Sequence, residues 1–196
     1  MKFSNIYLRR INLEELIEEY RNGFLKLRRS VAKKLSNTYF LDLKDTFNEI
    51  YIDLASRAVT GDIVAQDYLG YLFKNGYKDC VEENFDLSMK WQILAGANGN
   101  YFTLQKLSLF LNYAYDTIVF QDDFTTIRDK HELTKENYEM VLGRLVCEAM
   151  VDEMKLNVLE LTKEKLIKVE QTDLIYRQFD RIKFRAVDKV LEYLRK

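Results

Sequence analysis

Apolar residues recur at Leu13, Ile17, Tyr20, Phe24, Leu27 and Val31, at steps of 4, 3, 4, 3 and 4. That rhythm keeps them on one side of an α-helix. Asn12 supplies a cap. Glu14, Glu15, Glu18 and Glu19 crowd the first turns, and Arg28, Arg29, Lys33 and Lys34 the last, which suits the helix dipole at both ends. The seam predicts a long helix packed on its own domain, and its sharper use is as a homodimer contact. A second helix is expected over Leu41 to Val59, with Leu43, Phe47, Ile50, Leu54 and Ala58 on one face. Three more follow, at about Ile63–Asn75, Asn84–Ala97 and Tyr101–Ala114. Between Tyr115 and Leu133 no period is sustained, which predicts a long connection with room for a short helix. Thr134 then caps a helix reaching about Asn157. Thr162 caps a last helical region to Leu194, where Ile175, Phe179, Ile182, Val187, Val190, Leu191 and Leu194 are expected to be buried. Charges of both signs in that last stretch read as a solvated face.

Small residues fall at unusual places in the middle of the chain. Gly70 lies inside an apolar run, and Ala95-Gly96-Ala97 follows the only tryptophan, Trp91. Glycine inside a helix costs about 1 kcal/mol against alanine, so close packing must return that cost. Ala65, Leu69, Gly70 and Phe73 share one helical face, and Ser88, Trp91 and Ala95 share a face of the following helix. The two faces are expected to interlock as a hairpin around Trp91. Gly76 and Gly99 stand where helices end, a usual place for glycine.

These residues resemble a Sel-one-like repeat, a relative of the tetratricopeptide repeat. The matching positions are Gly61-Asp62, Ala65-Gln66, Leu69-Gly70, Phe73, Gly76, Val81, Asn84-Phe85, Ser88, Trp91, Ala95-Gly96 and Gly99. Asn84 stands for an acid, Ser88 and Gly96 stand for alanines, and the turn before Val81 is longer than the pattern. A degenerate second copy is suggested 38 residues on, where Thr103, Leu107-Ser108 and Leu111 echo Ala65, Leu69-Gly70 and Phe73. Asn137-Tyr138-Glu139-Met140 echoes Asn84-Phe85-Asp86-Leu87 as its second helix. One hairpin cannot bury both its faces, so neighbours are required. The expected fold is all-α: N-terminal helices over 1–60, a repeat region over 61–157 forming a short α-solenoid, and a C-terminal helical cap over 158–196.

Composition agrees with helix: there is no proline and only seven glycines in 196 residues. The net charge of −1, without a charged tail, argues against a nucleic-acid binder, which is usually distinctly basic. The run Arg21 to Lys34 holds six cations, but the neighbouring rings, Tyr20 and Phe24, lie on the apolar seam. No apolar run approaches the roughly 18 residues needed to cross a bilayer. The N-terminus lacks a signal peptide's apolar centre, so a cytoplasmic protein without a membrane partner is expected. Cys80 and Cys147 lack CxxC spacing and read as reduced thiols.

Catalytic chemistry finds little support. His131 is the single histidine, in a charged connection with no cysteine or second histidine nearby. Asp122-Asp123 has no calcium-loop continuation. No phosphate-binding or nucleophile-elbow motif occurs, and no cofactor is expected. The resemblance implies a non-enzymatic interaction protein (an adaptor, a regulator, or a cognate inhibitor of a toxin, as in bacterial members) that grips another protein along the concave face lined by first helices. On that face Asp67, Tyr71 and Lys74 are the expected contacts from the first copy, with Gln105, Leu109, Asn112 and Tyr113 from the second. Ala65, Leu69, Gly70, Phe73, Gly76, Trp91, Ala95 and Gly99 are expected to be structural. The rival reading is a nucleic-acid binder or an enzyme whose site is assembled without a motif.

Overall fold

The computed structural model describes residues 12–37, 43–77, 80–135, 137–162 and 172–196. Their regular structure is helical: α1 (Leu13–Ser36), α2 (Leu43–Val59), α3 (Ile63–Asn75), α4 (Phe85–Ala97), α5 (Tyr101–Lys106), α6 (Ser108–Val119), α7 (Phe124–Lys130), α8 (Tyr138–Met154), α9 (Val158–Leu161) and α10 (Thr172–Arg195). The sole β-pairing among the described residues is one antiparallel bridge, Tyr77 to Val81, in the turn between α3 and α4. No helix of the described residues is long and apolar enough to cross a membrane.

Short polar side chains start the central helices. Asp62 Oδ1 accepts from the amides of Val64 and Ala65, both at 3.0 Å, while its Oδ2 takes the Arg57 guanidinium at 2.6 and 2.9 Å. Asn84 Oδ1 accepts from Leu87 N at 3.0 Å, and Asn100 Oδ1 from Thr103 N at 3.1 Å. Each satisfies an amide that the helix itself leaves unpaired. Asn100 also donates to Ile63 O at 3.1 Å, which ties the start of α5 to the start of α3. Gly76 ends α3 at φ 63°, in the left-handed region that glycine enters without a Cβ penalty.

α3 and α4 form an antiparallel hairpin. Asn84 N donates to Phe73 O at 2.7 Å, Ser88 Oγ to Gly70 O at 2.8 Å, and Asn98 Nδ2 to Gln66 Oε1 at 3.0 Å, so the register runs in opposite senses. A Cβ on Gly70 would stand 2.7 Å from Gln92 Cγ and 3.2 Å from Ser88 O. The glycine is what lets the two backbones come this close. Gly96 makes room for side chains on α4's other side, where a Cβ would meet Leu104 Cδ2 at 2.9 Å and Cys147 Sγ at 3.1 Å.

α4 therefore lies between two cores. Leu87, Trp91 and Leu94 join Phe24, Val31, Leu35, Phe47, Leu54, Leu69 and Phe73 from α1, α2 and α3. Met89, Ile93 and Ala97 join Leu104, Leu111, Ile118, Leu142, Val146, Phe179 and Val190 from α5, α6, α8 and α10. Of the residues expected to be structural, Ala65, Leu69, Gly70, Phe73, Trp91, Ala95 and Gly99 are buried. The α1 seam is used within the chain. Leu13, Ile17 and Tyr20 pack on the second core, and Phe24 and Val31 are buried in the first. The face expected to offer a homodimer contact is thus already occupied.

Several boundaries differ from the sequence expectation. The helix expected over Tyr101–Ala114 is interrupted at Leu107, and α6 continues to Val119. The supposed connection therefore carries the end of α6 and all of α7, anchored by the buried Tyr115, Ile118 and Ile127. Two short helices with a break between them share no single period, so the pattern fades there. α8 starts at Tyr138 rather than at Thr134, whose amide donates to Asn137 Oδ1 at 2.9 Å in the preceding turn. Thr162 closes α9, and α10 is described over Thr172–Arg195; the stretch between them, on which the expected start of the last helix falls, lies outside the described residues. The expected start of the second helix, Leu41, lies outside the described residues.

Candidate functional site

The expected contacts on the first helices divide into two groups. α1 crosses α3 and α5 and covers the face on which Asp67 and Tyr71 are expected to be open. α2 and α4 flank α3 on its other sides, so almost the whole of α3 is enclosed. Phe24 of α1 meets Tyr68, Tyr71 and Phe102 at ring-centroid distances of 5.4, 5.4 and 5.8 Å. The Arg28 guanidinium sits 5.3 Å over the Tyr71 ring. Tyr71 is accordingly half-buried by the chain's own helix.

Asp67 is fully buried and is ion-paired with Lys106 of α5 through Oδ1, while its Oδ2 has no hydrogen-bond partner. The Lys106 ammonium lies 4.9 Å from the centre of the Phe24 ring and 4.7 Å from that of Phe102. Burial holds the Lys106 pKa below its ordinary value, Asp67 opposes that shift, and the charge on Lys74 adds to it. Asp67 is thus an internal strut between α3 and α5, not a contact for a partner. An apolar seam long enough to cross two helices is the sequence signal for this cover, although the seam does not say which helices it crosses.

Lys74, Gln105, Leu109, Asn112 and Tyr113 are exposed. The last three lie on α6, which turns Leu111, Ala114, Tyr115 and Ile118 inward. The outward row of α6 and its C-terminal cap is unusually apolar: Leu109 is 86% exposed, Tyr113 54% and Phe120 81%. α6 runs parallel to α10, as the contacts 110 to 183, 113 to 184 and 123 to 195 advance together. Lys183 Nζ donates to Phe110 O at 2.8 Å and to Asp180 Oδ1 at 2.9 Å, and lies 4.2 Å over the Phe110 ring. Tyr113 and Phe184 meet edge to face at 4.9 Å, and Phe184 keeps 45% of its surface exposed. At the far end Arg195 grips Asp123 at 2.7 Å, and Gln121 accepts from it at 3.0 Å.

Tyr113 of α6 and Phe184 of α10 thus form an exposed aromatic contact across two helices, with Leu109 one turn before Tyr113 and the capping Phe120 two turns beyond it on the same side of α6. Sequence reasoning finds Leu109, Asn112 and Tyr113 through the 38-residue echo, and misses Phe120 and Phe184. A phenylalanine opposite the buried stripe of α10 is the available sign. Large apolar residues gathered on a surface, rather than scattered singly, mark interaction sites.

The other chemically suggestive groups have internal uses. His131 Nε2 pairs with Leu194 O at 2.8 Å, linking α7 to α10. Asp123 holds Arg195. Both cysteines are free, Cys147 buried beside Gly96 and Cys80 half-buried in the turn before α4. An open groove of about 850 Å³ lies between the end of α4 and the α8–α9 corner, with Arg144, Glu148, Asp152 and Lys155 on its walls. Arg144 and Glu148 pair with each other at 3.0 Å, so its charges largely satisfy themselves. No family model matches the chain, and neither a curated protein nor a solved structure does.

Proposed function

We propose that this protein is a non-enzymatic protein-binding module, an adaptor, regulator or cognate inhibitor built on a short helical-repeat scaffold. In this reading α3 and α4 form one Sel-one-like repeat, and α5–α6 with α8 form a degenerate second one. The residue pattern from Gly61 to Gly99 supports it, as does the way Gly70 and Ser88 bring α3 and α4 together. The partner docks on the α6–α10 side, because α1 already fills the inner face of the first helices.

The observation that carries the reading is the exposed cluster of Leu109, Tyr113, Phe120 and Phe184. Tyrosine and phenylalanine bury large area on association while losing little rotamer entropy. Aromatic anchors dominate interface energetics. The test is affinity purification of the tagged protein from its native host, beside the double variant Tyr113→Ser/Phe184→Ser. A stoichiometric protein partner retained by wild type and lost by the variant is the expected result. A partner retained equally by both, or nucleic acid in its place, would refute the reading.

A further inference from the structure

The surface beside the aromatic patch carries a second, electrically distinct feature. Arg177, Arg181 and Arg185 stand at i, i+4 and i+8 on α10, and all three are exposed. In an α-helix that spacing sets successive residues about 6 Å apart along the axis. None of the three forms an ion pair among the described residues, unlike Lys183, Lys189 and Arg195 of the same helix. Leu174, also exposed, lies on the same outer face, one turn before Arg177 and Gln178. Phe184 is three residues from Arg181 and adjacent to Arg185, so the arginine ridge and the aromatic patch are one continuous surface.

Resting on the protein-binding reading above, we infer that the partner presents an acidic amphipathic helix. Its apolar side would sit on Leu109, Tyr113 and Phe184. Carboxylates at i and i+4 would match the arginine ridge, since both helices repeat at the same rise per turn. Arginine suits this role because its planar fork takes a carboxylate in two parallel hydrogen bonds. A phosphate backbone fits less well. Asp116 is exposed between Tyr113 and Phe120 on α6, and Asp188 and Glu192 are exposed beyond Arg185 on α10. These carboxylates close off the positive strip after three residues and would repel a polyanion that ran past it. The protein's net charge of −1 gives no wider attraction for one.

The experiment is selection of a displayed library of random 20-residue peptides on the full-length protein. Three baits run in parallel: wild type, Arg177→Gln/Arg181→Gln/Arg185→Gln, and Tyr113→Ser/Phe184→Ser. All the altered residues are exposed, and circular dichroism checks that each variant is folded. Peptides enriched on wild type should carry Asp or Glu at i, i+4 spacing beside an apolar stripe. By fluorescence anisotropy they should bind the triple-glutamine variant at least tenfold more weakly, and weaken further at raised salt. Peptides that need Tyr113 and Phe184 but bind the triple variant as well as wild type would overturn the acidic-partner inference and leave the docking surface standing. Failure to enrich any peptide dependent on either set would overturn both. A labelled oligothymidylate that binds wild type more tightly than the best acidic peptide would reassign the ridge to nucleic acid.

Discussion

Lys106→Met should be among the most damaging single substitutions that leave the apolar core unchanged. The change removes the partner of Asp67 Oδ1, and Oδ2 already has none. A fully buried carboxylate then loses the cation that offsets its desolvation. Stranding one member of a buried ion pair costs about 3–5 kcal/mol. The Lys106 side chain is 31% exposed, so water can reach part of the vacated site, which puts the expected loss near the lower end, about 3 kcal/mol. The lost contacts with the Phe24 and Phe102 rings add about 0.5–1 kcal/mol.

The reciprocal change is asymmetric. In Asp67→Leu the lysine is left alone, but its flexible stem can carry the ammonium out to solvent. That variant should lose distinctly less than Lys106→Met. Asp67→Leu with Lys106→Met replaces the pair by apolar groups and should return to within about 1 kcal/mol of wild type, since isosteric replacement of a buried pair is often neutral. Urea denaturation followed by far-ultraviolet circular dichroism gives all four corners of the cycle, provided the slopes agree. A Lys106→Met midpoint equal to that of wild type would show that Asp67 is not held by Lys106. Asp67→Leu proving the more damaging single change would show the same.

Three further outcomes follow from the same packing. Gly70→Ala gains about 1 kcal/mol of helix propensity. It must nonetheless displace Gln92 and stretch the Ser88–Gly70 hydrogen bond, so a net loss of about 1–2 kcal/mol is expected by thermal melting, and a higher Tm would refute the close approach. A chromogenic thiol reagent should titrate only Cys80 in the native protein, because burial raises the Cys147 thiol pKa and shields it; two equivalents under native conditions would contradict that packing. Burial, reinforced by neighbouring Tyr71, pushes the Tyr68 phenol up to about 12. The folded form therefore keeps its proton more tightly than the unfolded form. The stability this contributes is complete below about pH 10 and is lost as pH rises through 12. Urea midpoints should fall across that window, and less steeply in Tyr68→Phe; identical slopes would assign the loss to other groups.

The α3–α4 hairpin is legible in the sequence because its constraint is local. Gly70, Ser88 and Trp91 encode a close crossing within a short stretch of chain, and helix caps at Asp62 and Asn84 fix both starts. The α1 seam is equally legible as a face, but periodicity names a buried side without naming what buries it. Asp67 and Tyr71 read as open for that reason: a polar residue on a helix looks solvent-facing until a distant element is placed over it. The break at Leu107 carries no glycine or proline. Nothing in the residues themselves marks it, and the downstream register is lost with it. The arginine ridge of α10 is visible as a spacing, but charges of both signs surround it and make it read as an ordinary wet face.

The position of α1 decides which face is left for the proposed partner. In stacked helical hairpins the first helices line the inner face, and a ligand must displace nothing to reach them. Here Phe24 packs against Tyr68 and Tyr71 of α3, the Lys106–Asp67 pair lies beside its ring, and the Arg28 guanidinium sits over the Tyr71 ring. A ligand on this face would have to displace a 24-residue helix whose seam joins both cores. No such cost attaches to the α6–α10 side, where Tyr113 and Phe184 are already in contact and already exposed. An end helix that only closed a stack would need a polar outer face. α10 instead carries Leu174, Tyr176 and Phe184 outward among its arginines. Apolar rings and unpaired guanidinium groups on one rigid helix are the composition of an interface core, and that is the ground for seeking the partner there.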